Sequence, residues 1–515
     1  MRTLKKAGLL AALMLTCAAP SWADGVGPFV NGVPSAQPAP AGTAEPNVYS
    51  SDFSVSVVAR GTDALENPSG LITTYGKLSD GTQTEPDQNV YLTLPGKVLG
   101  PTPRYNYGHH FLFQGHENAG NLAYVTRINL DVTDPAHRIT LLTPVGLDGL
   151  THFSRLDGSA YNPFSKTLLF AQEGSGTDGG VVEVSLDWPA KITTHYGTFG
   201  RCGQEGVHTD NKGRIYLVED SGGPSASVDP NDINGLSKFA KQPNSYIYRF
   251  VPYKKNNLSM GGKLQALQVS VGGTALTFGG TSAAQVFADV WSSTQLSLHS
   301  GGAFPTKWVQ IHDTATDGTA AFDCNLAARN AGATPFKRPE NGAFKPDGTF
   351  RTFFFTITGD TDNRSGSVPG LAARGAWGGI FQLDMDHRQD MGQIHLFALG
   401  DATHNSFDNL SFGDSQTIIA AEDRGDTLHD QLNTLDSLWA YSLALTSAKR
   451  VIAQGRDASA SPVGAEDNEV TGSYVANGDH SIAKQYGTPG HLGPGARGFF
   501  TQQHGDNVTY ELTHN

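Results

Sequence analysis

Carboxylates recur where apolar runs of this chain end. Glu117 closes FLFQGHE, Glu173 closes TLLFAQE, Glu219 and Asp220 close RIYLVED, and Glu422 with Asp423 close IIAAED. Glu205, Glu340, Asp408 and Glu469 stand in short acid-plus-glycine or acid-plus-amide phrases, QEG, PENG, FDNL and NEVTG. A solvated turn residue is the plain reading of any one of them. Recurrence favours a shared site, because like charges that a fold gathers resist leaving water and are stable together when cations neutralise them. Oxygen donors suit calcium, and histidines and thiolates are too few at these places for a zinc cage. Arg338, in FKRPENGAF, is the cation among these acids. Its planar, permanently charged fork can hold a phosphate or carboxylate by two parallel hydrogen bonds, or it can form a salt bridge that supports Glu340.

Other local motifs fail. Asp229-Pro230-Asn231 and Asp360-Thr361-Asp362 begin like calcium loops, but Ala240 and Leu371 stand where the closing glutamate belongs. His116-Glu117 starts a zinc-protease motif that Gly120 breaks, and neither a G-x-S-x-G elbow nor a Walker loop is found.

The elements that must position the acids are strands. Six hairpin-like phrases, from FLFQGHENAGNLAYVTRINLD to RGFFTQQHGDNVTYELT, each pair an apolar strand with an alternating one across a Gly or Asp turn. With 61 glycines and 17% charged residues the composition is turn-rich. Repeated antiparallel units over one long chain predict an all-β, six-bladed propeller whose innermost strands bring acids from different blades to one axis. The boundaries read as a signal peptide at 1–23, a Pro/Ala/Gly-rich extended lead-in at 24–52 and one propeller domain at 53–515. An irregular insertion spans about 254–339 and carries a short helix near Asn325 to Asn330, with Gly332 as its stop.

Arg2, Lys5 and Lys6 before an apolar run, and Ser21-Trp22-Ala23 after it, read as an export signal. Its removal takes three positive charges from a net charge of -13, leaving -13 - 3 = -16. So acidic a chain does not hold nucleic acid through phosphates. No later apolar run is long enough to span a membrane. Cys202 and Cys324 remain after cleavage, and a disulfide between them is compatible with an oxidising compartment.

Taken in order, GHEN at 115–118, TLLFAQE, GRCGQEG at 200–206, RIYLVED, KRPENG at 337–342, FDNL at 407–410, IIAAED, NEVTG at 468–472 and FFTQQHGDN at 499–507 resemble the PhoX-type alkaline phosphatases, from about Tyr107 to the C-terminus. That family consists of secreted bacterial six-bladed propellers that hydrolyse phosphate esters with calcium and iron in the central channel. The resemblance implies Glu173, Glu205 and Glu340 as metal ligands, with Glu117 and Glu469 on family phrases beside them. It also implies Arg338 as the phosphate contact, and Asp408 with Asn409 at the same mouth. Two features depart from it. Where the family has a cysteine iron ligand, this chain has RLDGSAYNPFSK, with Asp157 near that position. The signal also lacks the twin arginines usual in those enzymes. The expectation is a periplasmic or secreted, monomeric phosphatase of small phosphate esters, with calcium alone or calcium together with iron. Two other classes fit the same acids: a non-catalytic calcium-binding propeller, and a calcium-dependent lactonase-type hydrolase.

Overall fold

The computed structural model describes residues 25–515 apart from 35, 40–45, 175–177, 387, 445–446, 456–468, 482–491 and 493–494, so the expected signal peptide lies outside the described residues. The hairpins assemble into six antiparallel meanders. Blade 1 runs outward through Glu85–Thr93, His110–Glu117, Tyr124–Asn129 and Ile139–Leu141, and blade 2 through Leu156–Asn162, Thr167–Gln172, Gly180–Ser185 and Ile192–Thr194. Blade 3 comprises Gln204–Thr209, Ile215–Glu219, Ile247–Pro252 and Gly262–Val271, and blade 4 comprises Pro339–Phe344, Thr352–Ile357, Gly379–Met385 and Met391–Leu399. Blade 5 is Phe407–Asp414, Thr417–Glu422, Ser437–Ser442 and Ala448–Ala453, with Val48–Tyr49 added at its edge. Blade 6 is Glu469–Ala476, Arg497–Gln503 and Val508–His514, completed by Phe53–Ala59, the strand after Val48–Tyr49. An early strand and the last three strands of the chain therefore share one sheet. The six inner strands touch in sequence order, and the sixth returns to the first. The expected propeller is the architecture found.

Apolar side chains fill the gaps between blades. Phe111, Phe113, Phe170 and Val182 pack together between blades 1 and 2, and Phe353, Phe355 and Phe381 join Tyr216 and Val218 between blades 3 and 4. The insertion has more regular structure than its composition suggests. Besides the expected helix, found at Cys324–Asn330 with Gly332 left-handed behind it, helices form at Ala283–Val290 and Ser293–Leu298. A capping box between Ser282 and Gln285 starts the first of these. The strand Phe304–Asp313 pairs with the outer strands of both blades 3 and 4 and fuses them into one sheet. A disulfide joins Cys202, just before the inner strand of blade 3, to Cys324 at the start of the helix. Part of the Pro/Ala/Gly-rich lead-in is packed: Val26 and Phe29 are buried against Phe53 and Ile419. Asp52 accepts hydrogen bonds from the backbone N–H groups of Val30 and Asn31.

Candidate metal centre

Each inner strand begins at one end of the channel, beside the end of the second strand of its blade, so both contribute residues to the same mouth. At the start of the inner strand in blades 1 to 5 the register breaks by one extra residue: between Pro86 and Asn89, Leu156 and Ser159, Gln204 and Gly206, Pro339 and Gly342, and Phe407 and Leu410. Within these bulges lie Asp87, Asp157, Glu205, Glu340 and Asp408. A bulge re-aims side chains that strict alternation would turn the other way. In blade 6 the corresponding break falls between Thr471 and Tyr474, just beyond Glu469.

These carboxylates converge in two groups. Asp87, Asp157 and Glu205 form one, and Glu205, Glu340 and Asp408 form the other; within each group one oxygen from every residue lies within 4.8 Å of the others. Glu205 belongs to both. All five are buried. Burial and neighbouring carboxylates push Asp157, Glu205 and Glu340 well above the usual carboxylate range. Asp408 is pushed up to about 8 by burial, with Asp87 and Asp423 adding to the effect. Asp157 Oδ1 and Glu205 Oε2 are buried without a hydrogen-bond partner. An orphaned carboxylate oxygen in such a place is costly unless a cation meets it, and a set of oxygen donors alone matches calcium-type coordination.

Polar neighbours hold the acids in place. Thr471 Oγ1 donates to Asp87 Oδ1 at 2.7 Å, and Asn409 Nδ2 donates to Asp408 Oδ2 at 3.0 Å and Thr471 Oγ1 at 2.9 Å. Asn409 Oδ1 is left buried and unpartnered. Thr358 Oγ1 donates to Glu340 Oε1. One residue beyond the acids, Asn341 Nδ2 donates to Gln88 Oε1 at 2.9 Å, from blade 4 to blade 1, and Asn341 Oδ1 meets His208 Nε2 at 3.0 Å. This amide layer forms the floor of the site.

Two arginines border the acids. Arg338 Nε and Nη2 donate to Asp220 Oδ2 at 3.0 and 2.8 Å, and Nη2 lies 3.3 Å from Glu340 Oε1. Both readings of Arg338 therefore start from the same fact: the guanidinium is pinned by acids along one edge. The preceding Lys337 forms a fully buried pair with Asp360 at 2.8 Å. Arg338 itself is left-handed, with φ 49, as are Arg155 and Ser406 immediately before the inner strands of blades 2 and 5. Such backbone costs on the order of 1–2 kcal/mol for a residue with a Cβ and persists where its surroundings impose it.

The second strands, TLLFAQE among them, lie one step from the axis, which corrects the placement of two acids. Glu219 accepts from Tyr248 Oη at 2.6 Å, Asn325 Nδ2 at 2.7 Å and the Tyr246 N–H at 3.0 Å, so it is tied up between blade 3 and the insertion helix. Glu422 pairs with Arg424 at 3.0 Å and accepts from the Asn405 N–H. Neither joins the channel acids, because these partners hold their carboxylates away from the axis. Glu117 and Glu173 form a half-buried carboxylate pair at the rim, and Glu469 lies 3.7 Å from His504 Nε2. Asp87 escaped sequence reasoning because EPDQ resembles a turn. The signal that could have found it is the pairing of an acid with Gly, Asn or Gln at the start of every channel strand from blade 1 to blade 5: Asp87-Gln88, Asp157-Gly158, Glu205-Gly206, Glu340-Asn341 and Asp408-Asn409.

Comparison with known proteins follows the same line. The sequence model of the family described as alkaline phosphatase PhoX matches residues 231–483. No curated protein matches the sequence. Among solved structures, PhoX from Pseudomonas fluorescens in complex with vanadate, a transition state analogue, superposes with a TM-score of 0.55 at 12% identity, covering 94% of this chain and 97% of that one. That likeness is one of fold. A levansucrase mutant from B. megaterium (TM-score 0.29, 10% identity, 77% and 93% covered) and a calcium structure of a Trichoderma reesei carbohydrate-active enzyme of family AA12 (0.28, 11%, 92% and 98%) are too distant to carry an argument.

Proposed function

We propose, from a chain that shares the sequence model of the PhoX alkaline phosphatases over residues 231–483 and the fold of a PhoX enzyme, an exported hydrolase of phosphate esters working at a metal cluster in the mouth of its propeller. The observation that carries this reading is the pair of buried carboxylate groups sharing Glu205, with Arg338 beside them. Asp87, Asp157, Glu205, Glu340 and Asp408 would hold divalent cations, and Glu117, Glu173 and Glu469 would complete the rim. Calcium is favoured because every donor is a hard oxygen. Asp157, near the place where related enzymes carry a cysteine, gives iron no thiolate. When bound, the cations supply Lewis acidity toward phosphoryl oxygens.

The residues of the chain supply binding and order. Asp220 grips Nε and Nη2 of Arg338, which leaves Nη1 as the donor for a phosphoryl oxygen and fixes the charge where the transition state gathers it. Asn409 turns its amide donors to Asp408, Thr471 and Asp87, so its unpartnered Oδ1 suits a cation, and its part is to orient Asp408. Burial and the amide floor limit access to the mouth side.

The test is phosphate release from an aryl phosphate before chelation, after it, and after calcium is returned. Loss and recovery of turnover support the reading. Bound calcium with no phosphate release would favour the binding propeller, and turnover of lactones alone the lactonase.

A further inference from the structure

We propose that Arg155 is a second anion contact of this mouth, taking a non-bridging oxygen of a phosphate monoester dianion alongside Arg338. The inference rests on the phosphatase reading. Arg155 precedes the inner strand of blade 2 as Arg338 precedes that of blade 4, and both are left-handed, with φ 51 and 49. The backbone of Arg155 is clasped on both sides. Its N–H donates to Asn118 O at 2.9 Å, and its carbonyl accepts from the Glu173 N–H at 3.0 Å. Its side chain is not clasped: among the described residues the guanidinium forms no hydrogen bond, and its ion-pair contact is Glu117 Oε1 at 4.0 Å. The side chain is 41% exposed, against 23% for Arg338.

Both arginines stand against carboxylates of the mouth, Arg155 beside Glu117 and Arg338 beside Asp220 and Glu340. Among the described residues, helices stand beside the mouth at blades 3, 4 and 5. The loops after the second strands of blades 4 and 5 carry the helices Asn363–Gly366, Pro369–Ala372 and Gly425–Leu432, and the helix Ala283–Val290 packs against the blade 3 loop around Ala226 and Ala240. The connection from blade 1's second strand to its third, 118–123, is short and carries no helix beside Arg155. A monoester presents two negative charges to these two forks, whereas a diester presents one, so the pair selects monoesters.

Binding of inorganic phosphate by calorimetry, in the calcium-loaded wild type and in Arg155→Gln and Arg155→Lys, tests the inference. We expect the Gln variant to bind phosphate about tenfold more weakly or worse, with a matching rise in KM for an aryl monoester, and the Lys variant to recover part of the loss. Calcium content and Tm stay at wild-type values. Unchanged phosphate affinity in Arg155→Gln overturns the proposal, as does a loss of calcium or of thermal stability that accounts for the effect. Should the wild type release no phosphate from any ester, the phosphatase reading fails while the calorimetry still decides the role of Arg155. A wild type that binds no phosphate overturns both.

Discussion

Glu205 is the residue on which the site turns, because it alone belongs to both carboxylate groups. Replacing it with Gln should lower bound calcium at both places. Asp157→Asn, confined to one group, should spare the other; equal metal loss in the two variants, measured by elemental analysis, would contradict the shared position. Arg338→Ala should reduce kcat/KM for an aryl phosphate on the order of a hundredfold or more, as removing other fixed electrostatic donors does. Unaltered turnover in that variant would return Arg338 to a purely structural pairing with Asp220 and Glu340. Glu205, Glu340 and Asp408 could be named from the sequence because each stands in a short phrase with Gly or an amide, and Asp157 through the family resemblance, whereas the acids that end apolar runs lie at the ends of the second strands. Asp87 was not named, since a Pro beside it reads as a turn. Asn409 could be named but not understood, since only the structure shows its donors spent on Asp408 and Thr471.

At the scale of elements, the strands themselves were visible as alternation, and their number suggested the blades. Which strand of each blade faces the axis was not visible. TLLFAQE is the more apolar strand and reads as the central one, yet the pairing pattern puts the more polar Leu156–Asn162 inside. For the same reason the inward-facing bulges were not read: their trace, an acid followed by Gly, Asn or Gln, looks like a turn until the strands are paired. Glu219 illustrates the cost of the wrong strand. Burial pushes it up to about 8 from an ordinary 4.5, although Tyr248, Asn325 and the Tyr246 N–H all favour its ionised form. The folded state thus keeps a proton that the unfolded chain releases, so this contribution is fully present below about 4.5 and is lost as pH rises toward 8. Glu219→Gln should flatten the fall of Tm across that window; an equally steep fall in the variant would assign the slope elsewhere. The disulfide ties the helix that bears Asn325 to the approach of blade 3's inner strand, across a sequence separation of 122. Changing Cys202 and Cys324 together to Ser should cost about 2–5 kcal/mol in denaturant unfolding. A loss under a few tenths would show that the helix is held by packing alone.

The whole molecule is a ring that an early strand and the last strand of the chain close, with Phe53–Ala59 and Val508–His514 paired in one blade. Such closure leaves each blade able to contribute one residue to a common axis, and this chain uses five of them for buried carboxylates. Repulsion among those groups opposes the ring, and cations that neutralise them should therefore strengthen the whole fold as well as the site. The most direct measurement is calcium per chain by elemental analysis, titrated on one preparation alongside Tm and phosphate release from an aryl phosphate. The account predicts that all three rise together as calcium is restored to chelated protein, and that Glu205→Gln suppresses all three. Full turnover in metal-free protein, or calcium that binds and stabilises the wild type without any phosphate release, would contradict it.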